Sequence, residues 1–167
     1  MSTPNNGNQP TYELHPIGYI RAAEGSFRLE VLEPYRPALK ELARFSHALI
    51  FWWADKHDNP KDRSATTTQL PYAPEVEAGV FACRAPYRPN PIALTTMLIL
   101  DVDMENGIVH LPYIDADDGT PLLDLKPYIP ISDRIRDVRV AEWLAGWPQW
   151  MEDAGEFFAK NEVDLGG

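Results

Sequence analysis

The chain has 167 residues, 44% of them hydrophobic and 24% charged, which suits one globular domain with a sizeable core. Its formal charge of −10, from 25 acidic and 15 basic residues, excludes a uniformly basic nucleic-acid binder, so any such contact has to be a local patch. No apolar run approaches the roughly 18 residues that span a bilayer, Met1 to Pro10 lacks the apolar stretch of a signal peptide, and the single Cys83 excludes an internal disulfide, which together fit a cytoplasmic protein.

The coarse pattern is β-rich. Residues 1–12 are polar and read as a disordered lead. His15 to Arg21 and Phe27 to Leu32 read as strands around a turn at Ala22 to Ser26. Pro34 to Arg44 reads as a short helix, with Pro34 near its start and Leu39 and Leu42 at i, i+3. Ser46 to Ala54 is a dense apolar strand, long enough to be buried on both faces. Asp55 to Pro74 is polar and proline-bearing, with the run Thr66-Thr67-Thr68, and reads as a mobile loop. Val76 to Cys83 reads as a strand that leaves Cys83 inert.

Residues 79–94 read Gly-Val-Phe-Ala-Cys-Arg-Ala-Pro-Tyr-Arg-Pro-Asn-Pro-Ile-Ala-Leu. An apolar run ends at Arg84 and another begins at Ile92. Between them Pro86, Pro89 and Pro91 fix their own φ and bias the residues before them toward extended backbone. Arg88 and Asn90 both precede a proline, so little ordering cost is left for a ligand to meet. By residue type alone the segment is either a ligand-holding loop or a proline-rich crossover with solvated arginines.

Further on, Ile92 to Asp103 and Ile108 to Tyr113 flank Glu105-Asn106-Gly107, and Asn-Gly between apolar runs is a strong hairpin signal. Asp118-Gly119 is a good turn pair in any protein. Asp124 and Lys126 alternate with Leu123 and Leu125 and share one strand face, as an intra-strand ion pair or as a polar site wall. In the tail, Val140 to Asn161, aromatic and apolar residues recur at helical spacing around Pro148. They predict two helices or one kinked helix, packed on the sheet or used as a dimer contact. Gly166-Gly167 reads as a frayed end. His15, His57 and His110 have no metal-ligand spacing, so no metal is expected.

The motif at 79–94 resembles that of the TsaA-like or TrmO family. Ile17-Gly18-Tyr19-Ile20-Arg21 is similar to that family's opening strand, and Phe45-Ser46-His47 with Ala48 to Trp53 to its Phe-Ser-His strand. Asp118-Gly119-Thr120-Pro121 and Leu123-Asp124-Leu125-Lys126-Pro127-Tyr128-Ile129-Pro130 are similar to its last block. The blocks appear in order over roughly residues 15 to 133. The resemblance implies a mainly β protein: a small single antiparallel-rich β-barrel over 13–135, a short helix after the second strand, and a helical extension over 136–167. It also implies an S-adenosylmethionine-dependent methyltransferase acting on threonylcarbamoyladenosine in the tRNA anticodon loop, and a homodimer.

What the resemblance implies for single residues follows its motifs. Arg84, Leu94, the turn Asp118, Gly119, Thr120 and Pro121, and the strand-closing Asp55 and Lys56 fall at donor-binding positions. The family has a histidine where Asp55 stands, and a Pro-Arg-Gln-Pro-Gly loop where this chain has the short Ala22 to Ser26 turn, so part of the donor pocket is built differently. No Gly-x-Gly-x-x-Gly cradle is present, and methyl transfer needs none: the protein has to hold the donor and align the acceptor. Asn90, Asp124, Lys126 and Tyr128 are expected to orient the acceptor, with Asp124 first in line to take its proton. Arg88, Asn90 and His47 are expected at the substrate, His47 being open also to a purely structural reading. The same chemistry on a small molecule or protein, and a non-enzymatic module that binds S-adenosylmethionine, are the competing readings. Acidic charge favours the first of these.

Overall fold

Successive strand side chains point to opposite faces, and Ser26–Val31, Ser-Phe-Arg-Leu-Glu-Val, alternates polar and apolar accordingly. The computed structural model describes residues 10–23 and 25–161. Most of the polar lead and the Gly166-Gly167 end lie outside the described residues. In chain order the strands are β1 (Gly18–Ala23), β2 (Ser26–Val31), β3 (His47–Trp53), β4 (Thr67–Leu70), β5 (Ala73–Gly79), β6 (Ile92–Leu98), β7 (Asp101–Asp103), β8 (Ile108–Leu111) and β9 (Pro121–Pro127). Three short helices follow the same order: α1 (Pro60–Arg63), α2 (Pro130–Asp133) and α3 (Ala154–Lys160). No helix among the described residues is long and apolar enough to cross a membrane.

Two compact units divide the chain, Met1–Trp53 with Leu94–Tyr128, and Ala54–Ala93 with Ile129–Gly167. The first is built on a sheet of order β6-β3-β9-β1-β2-β8-β7, with antiparallel registers. Ile20 lies opposite Leu29, and Leu29 opposite Val109; all three are fully buried with Ile50 and Leu122. The two edge strands, β6 and β7, are separated by Ile99 and Leu100 alone. Ile99 N–H donates to Ser46 C=O beside β3, and Leu100 N–H to His110 C=O on β8. The sheet therefore curls until its ends meet through the chain. No ladder among the described residues pairs β6 with β7, so hydrogen bonds do not close it into a barrel.

The hairpin β7–β8 forms as expected, with Asp103 opposite Ile108. Its Gly107 has φ +74°, and a Cβ there would lie 2.6 Å from the Val31 carbonyl oxygen, so both backbone angle and space require glycine. The helix expected over Pro34 to Arg44 is instead two 3₁₀ segments, Glu33–Leu39 and Leu42–Arg44. Pro37 lacks the N–H that an α-helix interior needs, and Glu41 breaks the run at φ +69°.

The second unit corrects more. Residues 55–74 are not an unstructured loop. They form a 3₁₀ turn Asp55–His57, α1 and β4, and β4 pairs with β5 with Thr67 opposite Gly79. The expected strand Val76 to Cys83 starts earlier, at Ala73, and ends at Gly79. A 3₁₀ turn Val80–Ala82 follows and takes Cys83 off the strand. The tail holds 3₁₀ turns at Glu142–Leu144 and Met151–Asp153 and the seven-residue α3, rather than two full helices. Its aromatics pack on the β4–β5 hairpin: Trp143 lies against the Leu70, Ala73 and Ala78 cluster, and Trp147 meets Tyr72 at 5.3 Å between ring centroids.

On the outer face of β1 and β2, the Glu30 carboxylate lies between the guanidiniums of Arg21 at 2.7 Å and Arg28 at 2.8 Å. The Arg21 hydrogen bond, opposed by burial and helped by Arg28, holds Glu30 below the usual carboxylate range. Between the folded and unfolded values the unfolded chain binds more protons. The stabilisation is therefore present above the ordinary glutamate value and is lost as pH falls through the folded one. Denaturation midpoints measured from neutral to acid pH should fall more steeply for the wild type than for Glu30→Gln, the two differing at neutral pH by about 1 kcal/mol or less. Parallel curves would refute this.

Candidate functional site

In the second unit the proline-rich loop is held by its own arginine. The Arg88 guanidinium donates to the carbonyls of Val80 at 3.2 Å and Cys83 at 3.4 Å, and stands 5.9 Å from the Phe81 ring. These carbonyls belong to the turn after β5, which leaves them without ladder partners. Arg88, placed at the substrate by the motif, thus has a loop-holding function in the fold. Arg84 is different. It is exposed, and no hydrogen bond or ion pair engages it among the described residues.

The far end of the loop is tied to α1. Arg63 donates Nε–H to the Pro89 carbonyl at 2.9 Å and reaches the Asn90 side-chain oxygen at 3.4 Å. Ala54 N–H donates to the Pro91 carbonyl at 2.8 Å. Asp55 and Lys56 are exposed at the 3₁₀ turn that follows.

Next to them lies a pair that motif reading passes over. His57 Nδ1 is 2.9 Å from Asp62 Oδ2. Asn59, the N-cap of α1, grips the same carboxylate: its Nδ2 donates to Asp62 Oδ2 at 3.0 Å, and Asp62 N–H donates back to Asn59 Oδ1 at 3.0 Å. Bonds from Asn59 and His57 hold Asp62 below the usual carboxylate range. The His57 ring stands 6.0 Å from Tyr87 of the motif loop, whose hydroxyl is 3.0 Å from Thr68 Oγ1. The available signal was Asn59-Pro60-Lys61-Asp62: an N-cap, a proline at the first helical position and an acid in the first turn fix a carboxylate a few residues after His57.

In the first unit the turn Asp118 to Pro121 is stitched to the end of β1. Gly119 adopts φ +83°; its N–H donates to Ile20 C=O, and Ile20 N–H donates to Thr120 C=O, both at 2.8 Å. Asp118 Oδ1 accepts from Ala22 N–H at 3.1 Å, and Thr120 is buried. Leu94 on β6 is partly exposed, 37%. Three residues of that region join in a chain: Trp52 Nε1–H donates to Thr95 Oγ1 at 3.0 Å, and Thr95 donates to Asp115 at 2.6 Å.

His47, Asp124, Lys126 and Tyr128 come together on one face of β3 and β9. Phe51 pairs with Asp124 and Leu49 with Lys126, and the His47 and Tyr128 rings are 6.4 Å apart. Asp124 and Lys126, left open between an ion pair and a polar site wall, pair at 2.6 Å, and Asp124 Oδ1 also accepts from Leu125 N–H at 2.9 Å. A groove beside this face is lined by Ile17, Tyr35, Leu42, Phe45, Asp124 and Leu125. Asn90, expected with these groups, belongs to the second unit.

The family model of the tRNA-methyltransferase O N-terminal domain matches residues 11–134. An S-adenosyl-L-methionine-binding protein of Archaeoglobus fulgidus is 30% identical over 139 residues, 75% of this chain and 95% of that protein. The tRNA (adenine(37)-N6)-methyltransferase of Escherichia coli is 31% identical over 153 residues, 89% of this chain and 63% of that enzyme. Among solved structures, TrmO from Pseudomonas aeruginosa superposes with a TM-score of 0.66 at 26% identity, over 96% of this chain and 78% of the other.

Proposed function

The chain belongs to the family of the tRNA-methyltransferase O N-terminal domain, and we propose that it methylates N6 of threonylcarbamoyladenosine in the tRNA anticodon loop, in the cytoplasm, from S-adenosylmethionine. The family match over 74% of the chain, residues 11–134, is the observation that carries this reading. The curled seven-stranded sheet is then the family's barrel, joined at Ile99 and Leu100.

Each unit carries groups whose chemistry suits the methyl donor. Arg84 presents an unengaged guanidinium, suited to a bidentate grip on a carboxylate. Asp118 spends only Oδ1 on Ala22 and keeps Oδ2 for a ribose hydroxyl. Leu94 offers an exposed apolar surface for an adenine ring, and Asp55 and Lys56 add polar contacts. The donor supplies a methyl group on a positively charged sulfur, so the protein needs no strong nucleophile of its own. In the first unit His47, Lys126 and Tyr128 orient the acceptor, and in the second Arg134, Arg136 and Arg139, all exposed, offer positive charge for phosphates. The test is methyl incorporation into tRNA from a strain lacking the endogenous activity, across a salt series. Labelling that falls steeply with salt supports the reading. Donor binding without labelled tRNA at low salt transfers the reading to a small-molecule or protein acceptor, and no donor binding refutes both.

A second copy completes the proposal. On β6 and just beyond, Ile92, Leu98 and Leu100 lie an even number of residues apart along the chain with exposures of 37 to 57%, an apolar row on an edge strand. Light scattering at micromolar concentration should give twice the 18.9 kDa chain mass. A monomer would rule the dimer out.

A further inference from the structure

We propose that His57 is the proton acceptor in methyl transfer and that Asp62 is its positioning residue; the inference rests on the methyltransferase reading above. A neutral nitrogen acceptor carries a hydrogen that has to leave as the methyl group arrives. In the first unit Asp124 is the carboxylate that the motif suggests for this task, but both its oxygens are engaged, one by Leu125 N–H and the other by the Lys126 ammonium. His57 is built for it.

The chemistry of its partner fixes its tautomer. An ionised carboxylate only accepts, so Nδ1, at 2.9 Å from Asp62 Oδ2, carries the hydrogen, and in the neutral ring Nε2 keeps its lone pair. Asp62 cannot turn away, because Asn59 holds it through the side chain and through the backbone N–H. No hydrogen bond engages Nε2 among the described residues, and 35% of the side chain is exposed. The dyad also has an address. Tyr87 of the motif loop packs against the imidazole, and Arg63, the residue after Asp62, hydrogen-bonds Pro89 and Asn90 of the same loop. Loop and dyad form one assembly within the second unit.

The step balances. The acceptor nitrogen's lone pair forms the N–C bond to the methyl carbon. The C–S bond breaks, and its electron pair stays on sulfur, which becomes a neutral thioether. The acceptor's proton passes to His57 Nε2, and the imidazolium, stabilised by Asp62, releases it to water.

The test compares wild type, His57→Gln and Asp62→Asn in single-turnover methylation of tRNA, with donor affinity by calorimetry and with 15N NMR of the free protein. Expected are a loss of about 10²- to 10⁴-fold in single-turnover rate for His57→Gln, a smaller loss of at least about tenfold for Asp62→Asn, and donor affinity within about twofold of wild type for both. The wild-type imidazole should show a protonated Nδ1 and an unprotonated Nε2, and Asp62→Asn should disturb that pattern. A rate within about threefold of wild type in His57→Gln overturns the proposal, and so does a wild-type imidazole protonated on Nε2. If His57→Gln does not fold, Asp62→Asn and the wild-type spectrum decide. A wild type that binds no donor fails the methyltransferase reading itself and removes this inference with it, whereas an active wild type with an active His57→Gln fails this inference alone.

Discussion

Gly18→Ala should lower the stability of the protein by about 3 kcal/mol, the upper part of the range for forcing a group into a packed site. For a chain of this size that is a fall in midpoint temperature of roughly 6–12 °C. The reason is space. Gly18 begins β1 and faces Val31 on β2 and Leu122 on β9. A Cβ there would lie 2.2 Å from the Glu30 carbonyl oxygen and 3.0 Å from the Val31 Cα, and both are backbone. No rotamer change relieves such a clash, so β1 has to move off β2 at the middle of the sheet, where Ile20 and Leu29 have no exposed surface to spare. Gly146→Ala is the control, since nothing lies within 4 Å of a Cβ at that position. Thermal unfolding of the two variants checks the claim. A Gly18→Ala midpoint within a degree of wild type would refute it.

Gly18 also marks what sequence could and could not tell. β1, β2 and β8 were readable as short apolar stretches, and Asn106-Gly107 announced its hairpin; β3, read as buried on both faces, buries only Ala48 and Ile50. β4 was not readable. Thr67-Thr68-Gln69 has no apolar alternation, and its strand exists because β5, just past Pro71 and Tyr72, offers it a ladder. Distance along the chain hid the sheet order, since β9 lies between β1 and β3 and no local signal states that.

At the site, the motif located the loop but not the division of labour within it. Arg84 and Arg88 look alike in sequence. The fold separates them because the 3₁₀ turn after β5 leaves carbonyls that need donors, and Arg88 is the one in reach. The shared strand face of Asp124 and Lys126 left an ion pair and a polar site wall both open, and the fold makes the ion pair. The His57 and Asp62 pairing was not legible, because it depends on a helix start that reads as a polar loop.

Arg84→Ala should weaken S-adenosylmethionine binding by about 1.5–3 kcal/mol, the contribution of a hydrogen bond to a charged group, which is roughly 10- to 150-fold in dissociation constant. The donor's carboxylate needs a cation, and a guanidinium already holding protein carbonyls or carboxylates has less to give. In the second unit Arg88 is so occupied and Arg63 is bonded to Asp58, Pro89 and Asn90, while Arg84 is exposed with its donor fork unengaged. Because it supports no other part of the fold, its removal should leave the midpoint temperature where it was, so a loss of affinity reads as lost contact rather than as unfolding. Arg84→Lys keeps the charge without the planar fork and should recover only part of the loss. Arg88→Ala should show the opposite profile, a lower midpoint temperature from three abandoned carbonyls in the motif loop. His57→Gln should leave donor binding unchanged, since proton acceptance adds nothing to it in the ground state. Calorimetric titration of the four variants separates these outcomes. An Arg84→Ala protein that binds the donor as tightly as wild type would remove Arg84 from the donor site.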